Sequence, residues 1–137
     1  VIQPESIIRK IDHEMVTIAM RNDGIVHVYF KPGTEITVPF QGELVPMYNE
    51  ITEGKKAKFI FEGGEFVSIT KDARENAIVI ENDTPLMASA VIVQNLGQKI
   101  IADFYYLVNK PKQPYKVFYS FPKAIEWLIQ LNLTNPS

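Results

Sequence analysis

The chain contains no cysteine. Disulfides, thiol nucleophiles and thiolate metal sites are thereby excluded, and the cytoplasm is the expected location. Long hydrophobic runs are also missing. Nothing approaches the ~18 uncharged apolar residues of a membrane span, and the opening VIQPESIIRKIDHE holds no apolar stretch of signal-peptide length. Neither sign of charge dominates. Fourteen Lys and Arg against sixteen Asp and Glu leave a net charge of −2, which argues against nonspecific binding to nucleic acid, where phosphates must be neutralised. Histidine is scarce: His13 and His27 have no metal-spaced partner, so neither a metal nor a cofactor is expected. Gly63-Gly64 lacks the following Lys-Ser/Thr of a phosphate loop and reads as a turn. Internal repeats and low-complexity tracts are absent as well.

What remains is ordinary globular material. A chain of 137 residues with 46% hydrophobic and 22% charged side chains suits one domain, able to bury roughly two thirds of its unfolded surface. Residues 1–13 read as an N-terminal arm, either one helical turn through Ile7, Ile8 and Ile11 or an extended lead-in, ahead of a single domain over 14–137. Met15 to Phe30 reads as a β-hairpin, because two β-branched runs flank Asp23-Gly24. Phe40, Leu44, Met47, Tyr48 and Ile51 predict a helix over roughly Pro39 to Glu53. Pro46 fits best if the regular helix begins near Gly42. Ala57 to Phe61 is a short strand. Ile69, Ala73, Ala77 and Ile80 predict a helix from Lys71 to about Glu81, with Thr70 as its N-cap. Ala88 to Val93 is apolar without alternation, as in a central strand covered on both faces.

The last third is the most legible. Eight of the fifteen aromatic residues fall between Phe104 and Trp127. Asn95 caps a helix, with Gln98 in capping-box position. Leu96, Ile100, Phe104, Leu107 and Val108 are its expected buried stripe. Pro111 and Pro114 end it, Tyr115 to Tyr119 is a strand, and Pro122 opens a final helix whose inner face is Ala124, Trp127, Leu128 and Leu131. The order β-β-α-β-α-β-α-β-α, with right-handed crossovers, implies an α/β fold with a mostly parallel sheet and an antiparallel edge strand.

Several residues in this order carry a resemblance: Leu96-Gly97, Phe104-Tyr105-Tyr106, Lys110-Pro111 with Pro114, Val117-Phe118, Ala124 with Trp127-Leu128, the hairpin DGIVHV, and Ala73-Arg74. As a set over residues 14–131 they resemble small bacterial proteins of the SpoIIAA-like (STAS-like) fold. The resemblance implies that fold. It brings no established activity.

Candidate sites are few. In the anti-sigma-factor antagonists that share the fold, a serine in an Asp-Ser-x-Gly turn is phosphorylated. The matching stretch here offers hydroxyls at Ser68 and Thr70 but lacks the turn, and a helix cap accounts for Thr70 better than a phosphorylation switch does. His27 shares a strand face with Tyr29 and reads as a packed or surface histidine. Asp72 with Glu75, and Glu81 with Asp83, read as solvated helix ends. Lys110, Lys112, Lys116 and Lys123 form the one local charge bias. With aromatics at core spacing, they suit an acidic partner or an anionic headgroup better than nucleic acid. Phe104, Tyr105 and Tyr106 span more than half of a helix circumference, so one tyrosine must meet another element, solvent or a partner.

No nucleophile–base constellation is legible, so the first reading is a non-enzymatic regulatory or scaffold domain. It would bind another protein or a second copy of itself, through Tyr105, Tyr106, Lys110, Lys112 and Lys116. The second is a small-molecule or lipid-binding domain using an apolar cleft, as in lipid-carrying proteins that the fold also resembles.

Overall fold

The computed structural model describes residues 6–132; the first part of the expected arm lies outside them. From Ile7 that arm is a strand. β1 (Ile7–Asp12), β2 (Val16–Arg21) and β3 (Val26–Phe30) form an antiparallel meander at one edge of the sheet. The β2–β3 turn is set locally: Gly24 takes the left-handed conformation (φ 81°), while Asp23 accepts hydrogen bonds from Nε and Nη2 of the Arg21 guanidinium and one from the Ile25 amide.

Next come β4 (Glu35–Ile36), α1 (Val38–Ile51), β5 (Ala57–Gly63), β6 (Ser68–Ile69) and α2 (Lys71–Val79), then β7 (Leu86–Ile92), α3 (Leu96–Phe104), β8 (Tyr115–Phe118) and α4 (Phe121–Gln130). The main sheet runs β1-β2-β3-β5-β7-β8, with β3, β5, β7 and β8 parallel. The two-residue strands β4 and β6 pair with each other. They are too short to leave a periodic signal. The mixed α/β fold with a mostly parallel sheet is therefore the observed one, with an antiparallel pair of strands at its edge.

The topology fixes the layers. The chain steps from β3 to β5 to β7 to β8 in one direction without reversing. Right-handed crossovers then put α1, α2 and α3 on the same face, and α4, which follows the last strand, covers the other. The alternation along each strand agrees. Val26, Val28 and Phe59 pack with Phe40, Leu44 and Tyr48 of α1, whereas Ile60, Ala88 and Ala90 pack with Ala124 and Leu128 of α4.

Helix ends follow their caps. Thr37, Thr70, Asn95 and Ser120 each accept an amide hydrogen three residues on. Gln98 does not return to the Asn95 amide, as a capping box would; it accepts from Gln94 instead. The carbonyls of Leu128 and Leu131, at the end of α4, accept hydrogen bonds from the Lys58 ammonium across the sheet.

Three expectations need correction. α1 begins at Val38, so Pro46 is inside it rather than near its first turn. The cost is softened because the group facing the proline ring is the Gly42 carbonyl, and both residues are at the solvent side. α2 ends at Val79, and a 3₁₀ turn over Glu81–Asp83 follows. Most consequentially, the expected buried stripe of α3 is exposed. Leu96, Ile100, Phe104, Leu107 and Val108 are between 48% and 68% accessible, so Phe104 is not a core residue, and only Ala102 of this helix is buried. The residues that dock it lie on the opposite side, and a π-helical turn, Tyr105–Asn109, extends it.

Gly64 is needed for space. Its amide donates to the Phe30 carbonyl, and an added Cβ would lie 2.9 Å from the Pro32 nitrogen.

Candidate functional site

On the three-helix face the layers do not close. A cavity of about 300 Å³, partly open to solvent, lies between the sheet and α1, α2 and α3. Its cause is side-chain size. α2 presents Ala77, α3 presents Ala102 and β7 presents Ser89, and these short side chains do not fill the space between helices and sheet. Phe61 and Val91, on the central strands β5 and β7, are consequently only half-buried. An enclosed void of that volume would cost about 7 kcal/mol at about 24 cal/mol per Å³, a large share of a domain's total stability.

The lining is mainly apolar: Leu44, Tyr48, Phe61, Ile80 and Val91, with Ile101 at the α3 side. The polar groups within it are mostly satisfied by the protein. Gln41 donates to the Ala73 carbonyl at 2.8 Å and accepts from Asn76 at 2.9 Å, tying α1 to α2. Glu81 is buried and accepts the Lys112 amide at 3.1 Å. It is no solvated helix end, as its neighbourhood in sequence suggested. Tyr115 donates to the Ala102 carbonyl at 3.1 Å, which pins α3 to β8. Burial raises the Tyr115 hydroxyl well above its ordinary value and, with Glu81 nearby, pushes the Tyr105 hydroxyl up to about 12.

Arg74 is different. It lines the cavity, and its guanidinium donates one hydrogen bond to the Ile69 carbonyl at 3.2 Å and lies 5.6 Å from the ring centre of Phe104, at the cavity's edge. Among the described residues it makes no ion pair. Arg74 and Glu81 are seven residues apart along α2 and the turn that follows.

The expected site residues fall around this cavity unevenly. Ser68 and Tyr105 line it, whereas Thr70 lies outside it with its hydroxyl engaged as the α2 cap. Ser68 is exposed, in β6, ahead of the helix N-terminus. Tyr105 and Tyr106 both pack on Tyr115, with ring centres 5.4 and 5.8 Å apart, so both tyrosines find a partner within the chain. Lys110, Lys112 and Lys116 are all exposed, and Lys110 adopts the left-handed conformation (φ 55°) that ends the π-helical turn. Arg74, Tyr115 and Glu81 were not singled out as a set by any motif. Arg74 entered only through the Ala73-Arg74 pair of the resemblance, Tyr115 as a strand residue and Glu81 as an expected helix end.

The opposite face holds a second polar feature. His27 is 1% exposed, its Nε2 lies 3.1 Å from Glu62 Oε1, and the Phe121 ring of α4 seals it at 5.0 Å. The hydrogen bond from His27 holds Glu62 below the usual carboxylate range, against the opposing effect of burial. His27 is thus a packed histidine, and it does not line the cavity. No group of three or more His, Asp or Glu side chains among the described residues could hold a metal. No helix among them is long and apolar enough to cross a membrane.

Comparison with known proteins agrees with this architecture. A crystal structure of an uncharacterized protein from the DUF3478 family, with a SpoIIAA-like fold, from Shewanella loihica PV-4 superimposes with a TM-score of 0.57. The alignment covers 82% of this chain and 91% of that one at 15% identity, a likeness of fold alone. No curated protein matches the sequence. The profile of a domain of unknown function, DUF7793, matches residues 18–132, nearly the whole described structure, and the chain belongs to that family.

Proposed function

We propose that this domain binds a small apolar ligand carrying one anionic group, held between the sheet and helices α1, α2 and α3. The observation that carries the reading is a cavity of about 300 Å³ with an apolar lining and one cation, Arg74, that has no acidic partner among the described residues. The volume is at the lower end of ligand pockets. The anion would meet Arg74 and the apolar body would lie over Phe61, Val91, Leu44 and Ile80. Glu81, in the turn that follows α2, would repel a second negative group and so orient the ligand. A non-enzymatic binding role also suits the His27–Glu62 pair, which packing commits to structure.

The test is calorimetric titration with decanoate, decanol and decyltrimethylammonium, after extraction of any co-purified ligand. Decanoate should bind best. Arg74→Gln should weaken it by about ten- to a hundredfold, the worth of a hydrogen bond to a charged group, and leave decanol little changed. Ala77→Phe, which places a ring in the cavity, should abolish binding of all three without unfolding the domain. If none of the three binds the stripped protein, or if decyltrimethylammonium binds best, the reading is wrong.

A further inference from the structure

The outer face of α3 is apolar and largely open: among the described residues the Arg74 guanidinium lies over the Phe104 ring at one edge, and Leu96, Ile100 and Leu107 stay at least 60% exposed. Leu96, Ile100, Phe104 and Leu107 follow one another at four, four and three residues, which places them along one side of a helix. The other side, with Gln98, Ile101, Ala102 and Tyr105, faces the cavity. Only the edge formed by Lys99 and Asp103 is polar, and those two form an ion pair with each other. A helix apolar on two sides belongs inside a structure. Here the inner side is accounted for and the outer side is not.

We infer that this stripe is the interface of a homodimer, formed by α3 packing antiparallel against α3 of a second copy about a two-fold axis. This does not rest on the proposed ligand. Three observations select a second copy as the occupant. First, the stripe is self-complementary. With the axis near residues 101–102, Leu96 of one copy meets Leu107 of the other, and Ile100 meets Phe104. Lys99 meets Asp103 in the same register, so the polar edge gains two ion pairs across the axis. An isologous interface needs this reciprocity. Second, the area suffices. With Val108, the stripe exposes on the order of 600 Å² of apolar side chain, more than the apolar share of the ~800 Å² that one partner contributes to a standard interface. Third, the charge is wrong for a lipid surface. A helix lying on a membrane carries a row of basic residues beside its apolar face, whereas this one carries a single lysine neutralised by Asp103.

The experiment is sedimentation equilibrium of the full chain over a wide concentration range, with light scattering as a check. The expected result is a mass of twice the monomer. Ile100→Glu and Leu107→Glu should each weaken dimerisation by at least about a hundredfold, because each buries two unpaired charges. Both positions are exposed in the single chain, so far-UV circular dichroism and the melting profile should show a folded monomer. Lys99→Asp should weaken the dimer, and combining it with Asp103→Lys should restore it. Three results overturn the inference. One is a monomer at every concentration. Another is a dimer indifferent to both glutamate substitutions, which would use another surface. The third is a monomer that adsorbs to phosphatidylglycerol vesicles through α3, which would make the stripe a membrane contact.

Discussion

Helices α3 and α4 are close in length and both carry an apolar stripe in sequence, yet they meet the rest of the molecule differently. α4 buries Ala124 and Leu128 completely and packs Phe121, Ile125 and Trp127 against the sheet. α3 buries Ala102 alone, and with the π-helical turn that extends it turns five large apolar residues outward. The face under α4 is therefore closed and holds a buried His27–Glu62 pair, while the face shared by α3 holds the cavity. The lesson is that an apolar stripe shows that a helix has something to cover. It does not show whether the covering comes from its own domain.

The largest effect that would break or sharpen this contrast is a matched pair of truncations. Leu128→Ala should cost about 2–5 kcal/mol, because the side chain is wholly buried and a void remains. Leu107→Ala, at a residue 68% exposed, should change monomer stability by less than about 0.5 kcal/mol. Urea denaturation at low protein concentration measures both. Similar losses would contradict the difference between the two helices.

A smaller effect is expected at the closed face. His27→Leu keeps the contact with Phe121 but removes the hydrogen bond to Glu62, at a cost of about 1.5–3 kcal/mol. The same denaturation assay should show it.

The smallest is a pH dependence. Glu62 titrates below its ordinary value in the folded chain. Its contribution is thus fully present above the unfolded value near 4.3 and is lost as pH falls through the lower folded value. Wild-type stability should therefore decline with acid below about pH 4.3, and His27→Leu should flatten that decline. Asp12 is also depressed, chiefly by its hydrogen bond from Lys31, but it is exposed and solvent screens it. A residual slope in His27→Leu is expected from such groups. An unchanged slope would mean that His27 does not hold Glu62 down.

Much of the fold was legible from local patterns. The Asp23-Gly24 turn, the caps at Thr70 and Asn95, the apolar run of β7 and the proline opening α4 are each dictated by nearby backbone chemistry, and each stands as expected. The strands β4 and β6 were not legible, because two residues carry no period. The candidate site was legible only in fragments. Tyr105 and Tyr106 drew notice as aromatics too many for one core. Their partner is Tyr115, on the neighbouring strand. The burial of Glu81 depends on the Lys112 amide, thirty-one residues away.

The sequence alone therefore determined the order of the longer elements from β2 onward and the mostly parallel sheet, because turns, caps and hydrophobic period are short-range consequences of residue type. Only the tertiary structure decided which side of α3 faces the sheet. That choice rests on a long-range fit: the small Ala102 accepts close approach and its carbonyl takes the Tyr115 hydroxyl, so the larger residues of the helix are turned away. The cavity and the uncovered stripe both follow from that one rotation.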